Sequence, residues 1–203
     1  RILSFCKLDL KLFYMSGTFE ELHTLASEAF KYSSPMPHSL MKESLWFLLD
    51  NQYVSDKVLD QELKVIKGSG MGLPHSGGVA ELAFMFGGEL RALTRQQELG
   101  IFFYGRFKDD CLIIFDDYDN LKIFVEDLRE GHPFTIECES ISSKFVHYLE
   151  VGVEKSLKEF LVYPVSKPST QHTPWLEACS SHPRSVHASW PISRLKARLS
   201  LCS

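Results

Sequence analysis

Two adjacent aspartates, Asp109 and Asp110, interrupt an otherwise strand-like stretch, FYGRFKDDCLIIF, at residues 103–115. Carboxylates are costly to desolvate. A break of this kind is therefore either an acidic turn or a ligand site carried on a hairpin. Ten aspartates among 203 residues produce an adjacent pair by chance about half the time, so the pair alone says little. The chain contains its own control. Asp116-Asp117 stands just before a helical stretch, where acids cap the first turn and suit the helix dipole. Asp109-Asp110 instead separates two strand-like runs and sits at the expected tip of a tight hairpin, where Asn-Gly or Asp-Gly would be preferred.

A third carboxylate, Asp9, lies inside the strand-like segment KLDLKLFYMSG. A lone charge in a strand is more often an exposed-face residue than a ligand. If that strand lay beside the 103–115 hairpin, however, three carboxylates would converge. Divalent cations would then relieve their repulsion. Oxygen-only donors suit Mg²⁺, which keeps waters and substrate phosphates in its octahedron. Two such ions can clamp the attacking and leaving oxygens of a phosphoryl transfer. The segment KGSGMGLPHSGGVAELAF adds a glycine-rich approach to a helix. Such a loop lets backbone come close to a ligand, and the helix start favours anions. It matches neither the Walker loop nor G-x-G-x-x-G.

The elements that must carry these residues follow from periodicity. A strand is expected over 5–14. An amphipathic helix follows, with Ser16 and Thr18 as caps before it and Phe19, Leu22, Leu25, Ala26 and Phe30 on one face. A second helix is expected over 38–51, with Leu40, Leu45, Phe47, Leu48 and Leu49 as its apolar residues, then a short strand near 60–67. Residues 79–98 read as one long helix that tolerates Gly87 and Gly88 at some cost. Strands at 101–107 and 111–116 and a helix at 118–130, with a stripe of Leu121, Phe124, Val125 and Leu128, come next. Short strands are expected near 134–138, 145–151 and 159–165. The order predicts an α+β fold, an antiparallel sheet backed by helices on one face.

At 44% hydrophobic and 12% aromatic residues, the chain can bury a substantial core. It has no apolar run of membrane-spanning length and no signal-peptide pattern, so no membrane partner is expected. It starts in mid-pattern without Met, as a piece of a longer protein would. Five scattered cysteines without a C-x-x-C pair suggest reduced thiols in an intracellular compartment. Cys179, His182, His187 and Cys202 could supply zinc ligands, but their spacing fits no common finger, and a small buried cysteine with turn histidines is the better reading. The formal charge of −4 is unevenly divided. Residues 1–154 carry 15 Lys+Arg against 24 Asp+Glu, a balance of −9, whereas 155–203 carry 7 against 2, a balance of +5. An acidic body suits a cation site, and a basic tail could touch phosphates.

In order and spacing, these segments resemble the palm and thumb start of a reverse transcriptase, most similar to those of Penelope-like retroelements and their telomerase relatives. LDLKLFY is similar to motif A, GSGMGLPHSGGVAEL to motif B and RFKDDCLII to motif C. FVHYLEVGVEKSLKEFLVYPVSKPSTQHTPWLEACSSHP resembles the block that follows the palm in that lineage. The resemblance implies a polymerase palm over 1–166, and a post-palm Lys-Pro segment with the start of a thumb over 167–203. The fingers would lie upstream. It implies two-metal nucleotidyl transfer with Asp9 and Asp109 as principal Mg²⁺ ligands, Asp110 in support, and Mn²⁺ as a substitute. Tyr14 matches the residue that packs under the incoming sugar and excludes a 2′-hydroxyl. Gly68, Ser69, Met71 and Gly72 would shape the template-base and nucleotide pocket. Lys167 and Pro168 would belong to the primer grip, and Ser181, His182 and Pro183 serve only as a marker. The implied partners are an RNA template, a DNA primer and dNTPs, with action in the nucleus rather than the cytoplasm and no expectation for oligomeric state.

Departures from the usual motifs are Gly70 and Gly77 where Pro is common, Glu81 where Asn is common, Glu150 where Asp is frequent, and Lys108 beside the aspartates. The resemblance further implies that the chain by itself is inactive or nearly so. The competing reading is a retroelement remnant or nucleic-acid-binding module that has kept the fold. A phosphohydrolase would need a general base near Asp109, and none is evident.

Overall fold

The strand carrying Asp9, β1 (Ser4–Lys11), alternates between two faces. Cys6, Leu8 and Leu10 enter the core, and Lys7, Asp9 and Lys11 turn away from it. Strands β4 (Ile101–Phe107) and β5 (Asp110–Phe115) form a hairpin. With β6 (Thr135–Ser142) they complete a four-stranded sheet of order β4-β5-β1-β6. Cys111, Ile113 and Phe115 share the core face with β1's apolar residues. In this computed structural model the described residues are 3–32, 36–56, 58, 60–156, 159–165 and five separate later positions (185, 189, 192, 193 and 196). They form two compact units, 1–141 and 142–203.

Helices α1 (Phe19–Ala26), α3 (Ser76–Phe84) and α5 (Tyr118–Arg129) supply most of the rest of the first unit's core. Thr18 rather than Ser16 caps α1. Its hydroxyl accepts from the Glu21 amide at 3.2 Å, and the Glu21 carboxylate accepts from the Thr18 amide at 2.8 Å, a reciprocal capping box. The expected stripe of α5 is buried in full: Leu121, Phe124, Val125 and Leu128. Asp117 caps that helix by accepting from the amides of Asp119 and Asn120, in keeping with the reading of Asp116-Asp117 as a helix start. The arrangement is α+β, with an antiparallel sheet backed by helices.

Several expectations change. The first strand stops at Lys11, because Leu12 adopts a left-handed backbone (φ 51°) and Phe13–Met15 form a 3₁₀ turn. Phe13 enters the core while Leu12 stays exposed. Helix α2 (His38–Asp50) buries only Leu45 and Leu49, leaving Leu40, Phe47 and Leu48 in solvent. Its apolar residues surround the helix instead of forming one stripe. Strand β3 (Gln61–Lys64) pairs with β2 (Tyr53–Asp56), which periodicity did not reveal because neither strand buries a residue. The helix expected over 79–98 instead begins at Ser76, widens into a π turn at Met85–Glu89, and ends as α4 (Leu90–Thr94).

The second unit is a three-stranded meander of β7 (Phe145–Tyr148), β8 (Val151–Lys155) and β9 (Phe160–Pro164). The single strand expected over 145–151 is split by a turn at Leu149-Glu150, where Leu149 has φ 55°. Gly152 lets the Tyr163 ring lie across the sheet: a Cβ there would meet the ring at 2.5 Å.

Candidate active site

Antiparallel pairing of β1 with β5 sets Asp9 directly opposite Asp110. Opposed residues project from the same face with Cβ atoms about 4.5–5.5 Å apart, and this is the face turned away from the helices. Asp109 occupies the two-residue loop with Lys108, so only one of the pair stands at the hairpin tip; Asp110 opens β5. The Leu10 amide donates to the Asp109 carbonyl at 2.8 Å, tying that loop to the strand of Asp9. About a hundred residues of chain separation are thereby closed.

The charges on this face are balanced within the protein. Lys11 Nζ lies 2.7 Å from Asp9 Oδ2 and 3.5 Å from Glu137 Oε2. Lys7 Nζ lies 3.2 Å from Asp110 Oδ1 and 2.7 Å from Glu139 Oε2. Partial burial works to lower the Lys7 pKa, but its bonds to Glu139 and Asp110 outweigh that and raise it. The bond to Asp9 raises that of Lys11. Carboxylate oxygens are the donor set a hard dication takes. Among the described residues, however, no three His, Cys, Asp or Glu side chains are gathered closely enough to hold a metal ion. A dication at Asp9 and Asp110 would displace both lysines, and Glu137 and Glu139 are already in place as their second partners.

The glycine-rich loop packs against the residues that follow β1. The Gly68 amide donates to the Gly17 carbonyl at 2.8 Å, and the Ser69 amide donates to the Tyr14 carbonyl at 2.9 Å. A Cβ at Gly68 would meet the Tyr14 carbonyl at 2.5 Å, so the approach needs glycine. Tyr14 itself is half-buried on the 3₁₀ turn, its ring edge-on to Phe13 at 5.3 Å. Tyr14, Gly68 and Ser69 are thus brought together, whereas Met71 is 78% exposed at the loop tip beside Gly72. Gly70 stands where Pro is usual because its backbone is left-handed, φ 80°, a conformation closed to proline.

Sequence reasoning missed the residue beneath this loop. Gln52 is 1% exposed and donates from Nε2 to the carbonyls of Leu49 (3.0 Å) and Gly68 (3.4 Å). Its signal was a lone amide between a helix and a strand, which reads equally well as a turn residue. Among the described residues, Gln52 Oε1 and Ser69 Oγ have no hydrogen-bond partner.

It also missed a buried ion pair behind the hairpin. Arg106 donates from Nε to Glu89 Oε1 at 2.6 Å and from Nη2 to Glu89 Oε2 at 2.9 Å. The Tyr104 hydroxyl donates to Glu89 Oε1 at 2.7 Å. Burial raises the pKa of the Tyr104 hydroxyl, whereas the bonds to Glu89 overcome burial and raise that of Arg106. Glu81 is exposed, and Glu150 lies in the β7–β8 turn of the second unit. Lys167, Pro168, Cys179, Ser181, His182, Pro183, His187 and Cys202 lie outside the described residues.

No protein-family model matches the sequence, and neither does any curated protein. Solved structures do match by fold. Apo telomerase from Candida tropicalis, truncated from its C-terminal domain, superposes with a TM-score of 0.56 at 17% identity, covering 78% of this chain and 35% of that one. Telomerase from Candida albicans in complex with a fragment of telomeric RNA gives 0.54 at 13% identity, over 81% and 32%. The BmCPV RNA-dependent RNA polymerase at its elongation state gives 0.57 at 10% identity, over 76% and 16%. The chain therefore spans about a third of the telomerase chains it matches. At these identities the likeness is one of fold: an α+β arrangement like the polymerase palm, common to the telomerases and the RNA-dependent RNA polymerase.

Proposed function

We propose that this chain is the palm of an RNA-directed DNA polymerase of a retroelement, akin to Penelope-like enzymes, acting as part of a longer protein. One observation carries the reading: Asp9 stands in register with Asp110, and the Asp109 carbonyl is bonded to the next residue of the same strand, Leu10. The sequence motifs and the palm fold support it from two directions.

On this reading Asp9 and Asp109 hold two Mg²⁺ ions, with Asp110 in support. When bound, those ions neutralise the charge that develops during nucleotidyl transfer to a primer 3′-hydroxyl. The chain's own residues bind and orient. Lys7 and Lys11 keep the carboxylates compensated and can transfer to Glu139 and Glu137. Tyr14, backed by the Ser69 amide at its carbonyl, stands under the sugar of the incoming dNTP and disfavours a 2′-hydroxyl. The loop from Gly68 to Gly72 lines the template base, while Lys167 and Pro168 contribute to the primer grip. RNA template, DNA primer and dNTPs are the partners, and the nucleus is the proposed site of action. Among the described residues no helix is long and apolar enough to cross a membrane.

The second reading, a nucleic-acid-binding module without catalysis, draws on the lysines that occupy two of the three carboxylates. Primer extension on an RNA template with Mg²⁺ separates the two. The full-length protein is compared with its Asp109→Asn variant, and removal of a metal ligand should lower incorporation by at least about a hundredfold. Equal incorporation by both would sink the catalytic reading and leave the binding module.

A further inference from the structure

We propose that Glu89 and Arg106 are positioning residues that fix the loop bearing Asp109, and through it the spacing of the carboxylates. The inference rests on the polymerase reading for its purpose, but not for its geometry. The hairpin loop has two residues, and the carbonyl of each is tied down. The Asp109 carbonyl accepts from the Leu10 amide of β1 at 2.8 Å. The Lys108 carbonyl accepts from Arg106 Nη1 at 3.0 Å. Arg106 is itself immobilised, since its other two donors form the fork to Glu89 and its guanidinium carbon lies 5.0 Å from the centre of the Phe84 ring.

The loop needs such a restraint. Lys108 has φ 56°, a left-handed conformation disfavoured for any residue with a Cβ. Released from its ties, a Lys-Asp loop would relax toward a different turn and carry Asp109 with it.

The π turn is what makes the pair. In an α-helix, Phe84 and Glu89 would stand about 140° apart around the axis, so one would face the core and the other would not. The i→i+5 spacing of the π turn Met85–Glu89 stacks them on one side, where Arg106 meets both. The two glycines in that turn have a local reason as well. A Cβ at Gly88 would lie 2.6 Å from the Leu128 carbonyl, and one at Gly87 would lie 2.6 Å from His132 Cβ. Glycine lets the widened turn press onto the end of α5, leaving Glu89 only 6% exposed. The fork thus joins the helix after the glycine-rich loop to the hairpin of the aspartates.

The test uses Arg106→Lys, which keeps the charge beside buried Glu89 but cannot form the planar fork and hold the Lys108 carbonyl together. Arg91→Lys is the control, because Arg91 bonds the carbonyls of Asp127 and Glu130, away from the hairpin. The first readout is amide hydrogen exchange in the full protein without nucleic acid. Arg106→Lys should speed exchange of the Leu10 amide by roughly tenfold, the worth of one good hydrogen bond, with α5 amides unchanged. The second is the Mg²⁺ dependence of primer extension, whose half-saturating concentration should rise by roughly 10–100-fold in Arg106→Lys and stay put in Arg91→Lys. Unchanged Leu10 protection, or equal acceleration of Leu10 and the α5 core, would overturn the positioning role. Should Asp109→Asn leave incorporation intact, the polymerase reading falls instead, and the exchange experiment still decides whether the clamp exists.

Discussion

Replacing Gly70 by alanine should destabilise the first unit by about 2–5 kcal/mol, from two separable causes. The backbone at Gly70 has φ 80°, which costs a residue with a Cβ about 1–2 kcal/mol. The added Cβ would also sit 2.1 Å from Gln52 Oε1 and 2.8 Å from Leu73 Cδ1. The Gln52 amide would have to swing away, giving up its bonds to the Leu49 and Gly68 carbonyls, each worth about 0.5–1.5 kcal/mol. A Gln52→Ala background removes the amide clash and leaves the backbone cost with the contact to the flexible end of Leu73, so the same substitution should then cost about 1–2 kcal/mol. Urea denaturation of the four proteins of this cycle, followed by ellipticity at constant slope, measures the difference. Gly77→Ala is the internal control. Gly77 has an ordinary φ inside α3 and no atom within 4 Å of a Cβ, so alanine there should be neutral or stabilising by up to about 1 kcal/mol. Gly70→Ala within about 0.5 kcal/mol of wild type, or a cycle additive to that margin, would refute this account of the loop.

Thr18→Ala removes one half of the α1 capping box and should cost about 1 kcal/mol by the same denaturation assay. Burial lowers the His132 pKa below its ordinary 6.5, where the ring packs against Phe84 and Phe134. The unfolded chain then binds more protons there than the native one. Stability should therefore fall as pH drops below about 6.5, by less than about 1.4 kcal/mol per pH unit, and His132→Gln should flatten that slope. Burial also pushes the Cys111 thiol up to about 12, leaving almost no thiolate near neutrality. Iodoacetamide mapped by mass spectrometry should label exposed Cys138 well before buried Cys6 and Cys111.

Local chemistry was legible where one short segment carries the whole signal. The α5 stripe, its Asp117 cap and the α1 capping box need only 3.6-residue periodicity and side-chain-to-amide bonds within one turn. The α+β order and the oddity of Asp109-Asp110 also lie in the chain itself, since a charged pair between strand-like runs is visible without coordinates. What no local pattern contains is register. A one-residue slip of β1 against β5 would send Asp9 to the core face and Leu8 or Leu10 to the charged one, and only the packed sheet sets Asp9 opposite Asp110. The end of the first strand at Leu12, the exposed apolar side of α2 and the π turn at Met85–Glu89 likewise depend on neighbours distant in sequence. So do the two buried polar residues that hold the loops. Gln52 and Glu89 carry ordinary side chains in ordinary contexts, and their meaning comes from carbonyls and a guanidinium brought to them by folding. The sequence by itself determined which groups could do chemistry and the periods of the elements that bear them. The tertiary structure alone decided which groups meet, because burial and hydrogen-bond satisfaction are settled between segments rather than within them.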